Sequence, residues 1–95
     1  MIRNLKISDI KSIVKIEEET FHQSLGADFL YQEITFHPSA YYIVYELNLK
    51  VIGYLGYRIH DQTAEMMNFV IEQNYQRQGY GKKLLDESMN HFKQI

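Results

Sequence analysis

The run Asn68-Phe-Val-Ile-Glu-Gln-Asn-Tyr-Gln-Arg-Gln-Gly-Tyr-Gly-Lys-Lys-Leu-Leu85 decides how this sequence folds. It begins as an apolar, strand-like stretch. It then crosses a polar loop containing Gly79 and Gly81 and enters a helix-forming segment without a break. The first N–H groups of a helix lack intrahelical partners, and the helix dipole places partial positive charge at the same end. Such an end is a natural anion site. Glycines let a phosphate approach the backbone, and Arg77, Lys82 and Lys83 add positive charge around the same point. The residues by themselves indicate a cradle for a phosphate or pyrophosphate. Two common cradles are excluded. The Gly-x-x-x-x-Gly-Lys-Ser/Thr pattern fails at Gln76 and at Lys83, and the dinucleotide pattern fails at Leu84 and lacks a parallel βαβ setting.

Working outward, residues 79–93 form an amphipathic pattern. Leu84, Leu85, Ser88, Met89 and Phe92 share one face, with Lys82, Lys83, Asp86, Glu87, Asn90 and Lys93 opposite. Upstream, 40–47 and 51–59 are rich in Tyr, Val and Ile, which suit strands, and Asn48-Leu49-Lys50 joins them as a hairpin. In the second of these, alternation puts Val51, Gly53, Leu55, Tyr57 and Ile59 on one face and Ile52 with Tyr54 on the other. Both faces are apolar, which predicts helices on both sides of a sheet. After a turn at 61–63, the apolar run 64–71 predicts an interior fourth strand.

Nearer the N-terminus, 2–7 alternates as a first strand. Ser8 is placed to cap a helix over 9–22, with Ile10, Ile13, Val14, Glu17 and Phe21 at helical spacing. Glu17 interrupts that apolar series. The Glu17-Glu18-Glu19 run reads as a solvated face with one member turned toward the core. A second helix covers 27–36 and stops at His37-Pro38. The order β-α-α-β-β-β-α is an α+β fold on a largely antiparallel four-stranded sheet.

Composition limits the function classes. The 95 residues carry a formal net charge of −2 and no Cys. A general nucleic-acid binder would be expected to show a basic excess. The missing thiols remove a disulfide scaffold and a Cys-acyl intermediate. His22, His37, His60 and His91 do not fall at metal-ligand spacing. No apolar run approaches a membrane span, and Met1 to Lys6 has no signal-like core, so a cytoplasmic protein without membrane or nucleic-acid partners is expected.

The element Gln76-x-x-Gly79-x-Gly81 after a strand resembles the signature loop of the GNAT superfamily of N-acetyltransferases, Gln/Arg-x-x-Gly-x-Gly/Ala. The upstream order of strand, two helices and hairpin is similar too, so the resemblance covers the whole chain. Within the superfamily, Ile16-Glu-Glu-Glu-Thr-Phe21 and Asn68-Phe-Val-Ile71 look most like bacterial ribosomal-protein-alanine N-acetyltransferases. The family's frequent Pro before the loop is replaced by Gln73-Asn74.

The resemblance implies acetyl-CoA as acetyl donor. Its pantetheine arm would pair with the backbone of Phe69, Val70 and Ile71. Its pyrophosphate would sit on the loop formed by Gln76, Arg77, Gln78, Gly79, Tyr80, Gly81 and Lys82. An amine, either a protein N-terminus or a small molecule, would attack directly in a ternary complex, and an N–H of Val70 or Ile71 would steady the oxyanion. In the family a fifth strand, a further helix and closing strands follow. They carry the proposed base and acid, so 1–95 is expected to be the N-terminal, cofactor-binding part of the domain with no assigned catalytic residue. Glu72 and Tyr75 are the ionisable groups near the loop. A coenzyme A-binding fragment without catalysis, or a module completed by another chain, is the alternative, and an unpaired fourth strand would favour self-association.

Overall fold

The computed structural model describes residues 1–94. Strand β2 (Ala40–Leu47) turns through Asn48 and Leu49 into β3 (Lys50–His60). Both turn residues have positive φ, 52° and 67°, the pairing whose twist matches the flanking strands. A second tight turn at Asp61 and Gln62 leads into β4 (Thr63–Ile71). With the short β1 (Ile2–Asn4), the sheet runs β1-β2-β3-β4 and is antiparallel at every step.

Helices cover both faces, as the two-sided apolar pattern predicts. Helices α1 (Ile10–Phe21) and α2 (Ala27–Phe36) lie on one side. There Ile13, Ile16 and Leu30 pack with Tyr42, Val44, Tyr54 and Val70. Helix α3 (Tyr80–Lys93) lies on the other, with Leu84 against Ile43, Tyr45, Ile52, Leu55, Tyr57 and Ile71. Buried ion pairs tie the edges down. Asp9 accepts two hydrogen bonds from Arg3, at 2.8 and 3.0 Å, and these hold its carboxyl below the usual range. Burial opposes the charge of Glu33, but hydrogen bonds from Arg58 and Tyr42 outweigh it and keep that carboxyl low as well.

Several local expectations change. The first strand stops at Asn4, because Leu5 turns into the core and the Lys6 N–H donates to the Asp9 carboxylate at 2.8 Å. Ser8 therefore sits inside a single 3-10 turn (Ile7–Asp9), and Asp9 precedes α1 in place of Ser8. His22, with φ 61°, ends α1 by donating its N–H to the Glu18 carbonyl. Ile52 leaves the Tyr54 face. Tyr45 faces Gly53 while Glu46 faces Val51, so Ile52 is the extra residue of a bulge and joins Leu55 under α3. Strand β4 is the edge of the described sheet, the unpaired position expected without a fifth strand, and it is exposed from Thr63 to Met66 where the apolar run predicts an interior strand. On α3, Ser88 is buried but Met89 is exposed.

Candidate functional site

The loop after β4 is built by its own side chains. The Gln76 Nε2 donates to the Ile71 carbonyl at 2.9 Å, and the Gln78 Nε2 donates to the Asn74 carbonyl at 3.1 Å. Between them Arg77 takes φ 64°, and Gly79, the N-cap of α3, takes φ 91°. Among the described residues, the backbone N–H groups from Arg77 to Lys82 have no hydrogen-bond partner, and the first closure of α3 is Lys83 N–H to Gly79 carbonyl. This is a row of free donors at a helix start, the arrangement that receives an anion.

The two loop glycines have different reasons. A Cβ on Gly79 would meet nothing within 4 Å, so the turn opens onto free space. A Cβ on Gly81 would lie 3.2 Å from the Phe69 ring, so this glycine lets α3 sit down on β4. Tyr80 is turned inward, its ring edge-on to Tyr45 with centroids 4.9 Å apart. Lys82 is spent on Asp86 at 3.0 Å on the exposed side of α3. Arg77 is exposed, and the Lys83 ammonium lies 6.0 Å from the Tyr80 ring.

Along β4 the antiparallel ladder decides which backbone groups are available. Glu72 N–H donates to the Ile52 carbonyl at 2.7 Å, so the neighbouring hydrogen-bonded pair is Val70 with Tyr54. Val70 thus directs its N–H and carbonyl at β3, and Phe69 and Ile71 direct theirs at the open edge. Two of those edge groups are occupied. The Phe69 N–H donates to the Asn68 side-chain oxygen at 2.9 Å, and the Ile71 carbonyl accepts from Gln76. The Phe69 carbonyl and the Ile71 N–H remain. Of the two expected oxyanion donors, Ile71 faces outward and Val70 does not. Glu72 is engaged by Lys50, at 3.1 Å, and the same ammonium lies over the Tyr75 ring, so neither Glu72 nor Tyr75 stands free beside this edge.

Phe21, at the end of α1, separates two clefts. One, about 220 Å³, is lined by Thr20, Phe69, Val70, Ile71 and Gln76 and follows the β4 edge. The other, about 180 Å³, is lined by Gln23, Ser24, Leu25, Met67 and Asn68 and has Glu17 in its wall. Glu17 is fully buried, whereas Glu18 and Glu19 are exposed, so Glu17 is the member of the run that turns toward the core. Its carboxylate accepts hydrogen bonds from Ser24 Oγ at 2.7 Å, from Tyr54 OH at 2.5 Å and from Asn68 Nδ2. Burial, then the bond to Glu17, pushes the Tyr54 phenol well above its ordinary value. A bulge at Met67 helps to assemble this network, since Gly56 faces Asn68 while Tyr57 faces Met66. Ser24, Tyr54 and Asn68 have no site role in the sequence reading, and Glu17 enters it only as one member of a carboxylate run. The available signal was a carboxylate at an apolar position of α1.

With this geometry in view, the comparisons with known proteins agree on its class. The profile of the acetyltransferase (GNAT) family matches residues 10–95, and the chain belongs to that family. It is 31% identical over 83 residues to a Bacillus subtilis (strain 168) protein provisionally described as a ribosomal protein bS18-alanine N-acetyltransferase. That match covers 87% of this chain and 55% of the relative, so the chain spans about half of its length. The crystal structure of the ribosomal-protein-S18-alanine N-acetyltransferase of Escherichia coli superposes with a TM-score of 0.87 at 18% identity, over 99% of this chain and 59% of that one. The PaiA N-acetyltransferase of Thermoplasma acidophilum, solved with coenzyme A, gives a TM-score of 0.90 at 19% identity, over 99% and 72%. At such identities these two likenesses establish the fold.

Proposed function

We propose that this chain is the donor-binding part of an N-acetyltransferase that moves an acetyl group from acetyl-CoA to a primary amine. The observation that carries this reading is the row of free amides from Arg77 to Lys82, opening at Gly79 onto unobstructed space beside the exposed edge of β4. The residues fit the group: an anion cradle for a diphosphate continues into a strand edge with one free carbonyl and one free N–H for an amide-bearing arm. Acetyl-CoA, when bound, supplies the acyl group as a thioester open to attack by an uncharged amine.

The chain's own contributions follow from position. Amides 77–82 hold the phosphates, with Arg77 nearby as a free cation. Gln76 fixes the loop to the end of β4, which sets the distance between the cradle and the strand edge. The Phe69 carbonyl and the Ile71 N–H offer the pantetheine a strand-like partner. A donor such as the Ile71 N–H, aimed where negative charge develops on the carbonyl oxygen, lowers the barrier because it is already oriented. Phe21 stands between this edge and the cleft at Glu17, so the acceptor would approach from the Glu17 side. The Bacillus relative supports the N-terminal alanine of a ribosomal protein as the acceptor; a small-molecule amine is the competing acceptor. Since the chain spans 55% of that relative, a coenzyme A-binding module completed by another chain stands as a second reading.

Hydrogen exchange tests the first reading. Saturating acetyl-CoA is expected to slow exchange of the amides from Arg77 to Lys82. Unchanged exchange there refutes the site assignment. Acetyl transfer to a peptide with a free N-terminal Ala, compared with a panel of small amines, then separates the two acceptor classes.

A further inference from the structure

Among the described residues three carboxylates are buried, and two of them have a cation. Asp9 is paired with Arg3, and Glu33 with Arg58. Glu17, fully buried, has none: among the described residues no Lys, Arg or His nitrogen lies within salt-bridge distance, and its three donors, Ser24, Tyr54 and Asn68, are all neutral. A buried charge is costly unless paired. The same fold pairs its other two buried carboxylates, so the exception is local to this cleft.

The acceptor capacity of the group points the same way. An ionised carboxylate offers about four lone-pair positions. Oε2 receives both Tyr54 OH and Asn68 Nδ2, and Oε1 receives Ser24 Oγ alone. The unused position is therefore on Oε1, the oxygen on the Ser24 side, and Ser24 and Glu17 both line the 180 Å³ cleft. The rest of that wall is Phe21, Leu25 and Met67 with the polar Gln23 and Asn68, and its apolar part suits a small apolar group beside a cation.

We propose that Glu17 is the counter-charge of the acceptor subsite, and that it receives the acceptor as a primary ammonium carried on a small apolar residue. This inference rests on the transferase reading and adds to it the charge state and size of the group that docks. Tyr54 and Asn68 are positioning residues here: they hold the carboxylate by Oε2 in the wall of the cleft, behind Ser24. Asn68 also caps the Phe69 N–H, so the same side chain joins the Glu17 cleft to the β4 edge.

The test uses the full chain, isotope-labelled, at pH 6.5, titrated with trialanine amide and separately with its N-acetylated form. Wild type is expected to shift Ser24, Met67 and the Asn68 side-chain amide with the free-amine peptide, and to bind the acetylated peptide at least about tenfold more weakly, since a hydrogen bond to a charged group is among the stronger ones. Glu17→Gln, which keeps the shape and one acceptor oxygen, is expected to abolish the preference. Equal affinity of wild type for the two peptides overturns the inference without relying on any variant. So does a preference that survives in folded Glu17→Gln. Coenzyme A, titrated in parallel, reports on residues 76–82 separately. Failure there with ammonium binding intact removes the transferase reading and with it the role of acceptor, leaving a cation site.

Discussion

Gly79 offers the sharpest test of the loop, because its two possible roles can be measured apart. Its φ of 91° lies in the left-handed region, and a Cβ there would meet no atom within 4 Å. In Gly79→Ala the protein therefore loses nothing to collision. The backbone cost for an L-residue is roughly 1–2 kcal/mol, and stiffening of the unfolded chain returns about 0.4–1 kcal/mol. The net loss is about 1 kcal/mol, a fall in Tm of about 4–8 °C for a domain of this size. A domain stabilised by even about 5 kcal/mol stays more than about 99% folded after such a loss. Any large fall in ligand affinity must then come from the new methyl group filling the open turn. Affinity for coenzyme A is expected to drop at least about tenfold, or ~1.4 kcal/mol. Gly81→Ala is the control: its Cβ would press on the half-buried Phe69 ring at 3.2 Å, while Ala replaces Gly within a helix, worth about 0.8–1 kcal/mol. Phe69 lies at a sheet edge and can yield, so stability should change little. Urea denaturation gives the first quantity and titration calorimetry the second. If Gly79→Ala loses stability as calculated but binds coenzyme A like wild type, no phosphate approaches this turn and the cradle is misplaced.

Other outcomes follow from the packing. Asp9 and Glu33 have lowered carboxyl values in the fold; their contribution is full above the unfolded values, roughly pH 4, and is lost as pH falls through the lower folded values, so urea midpoints measured from pH 6 downward should fall progressively below about pH 4, and a flat profile would contradict the pairing. Tyr42 and Tyr54 are raised, which gives the opposite slope: their contribution is present below about pH 10 and is lost as pH rises further, visible as delayed phenolate absorbance in the folded protein. Gly56→Ala would place a Cβ 2.2 Å from the Tyr42 ring in the core and should cost about 1–3 kcal/mol or more by overpacking; a neutral result by thermal melting would show that the ring can move. The open edge of β4 is expected to drive self-association at tens of micromolar, read by size-exclusion chromatography with light scattering; Phe69→Lys should restore monomer, and a monomeric wild type refutes the expectation.

How much of this is legible in the sequence depends on whether a feature is local. The β2–β3 hairpin and α2 end where Asn48-Leu49 and His37-Pro38 say they should, because turn chemistry acts over a few residues. The faces of β3 depart from simple alternation at one point. Ile52 is the extra residue of a bulge, and a bulge inverts the alternation without changing composition. The exposure of the first half of β4 is hidden for a different reason. An apolar run such as Ala64 to Ile71 has the same composition whether it is central or at an edge, and only the pairing order distinguishes them.

The two halves of the candidate site show the same division. The anion cradle is made of backbone, and its sequence mark is the pair of glycines at a strand-to-helix junction, so it could be located from residues 68–85. The Glu17 network is made of side chains whose partners lie 37 residues away at Tyr54 and 51 away at Asn68. No window along α1 contains that information. What α1 does contain is a violation: a carboxylate in the series Ile10, Ile13, Val14, Phe21, where an apolar residue would have contributed to the core. Next to Glu18 and Glu19 it resembles the start of a solvated face. A solvated face would have left Glu17 exposed, and a purely structural carboxylate would be expected to have a cation, as Asp9 and Glu33 do. Glu17 has neither solvent nor cation, and it borders a cleft beside the strand edge that would present the acetyl group. Local inconsistency of this kind is the mark by which a functional position differs from a merely buried one, and at Glu17 it is a buried carboxylate whose donors among the described residues are all neutral.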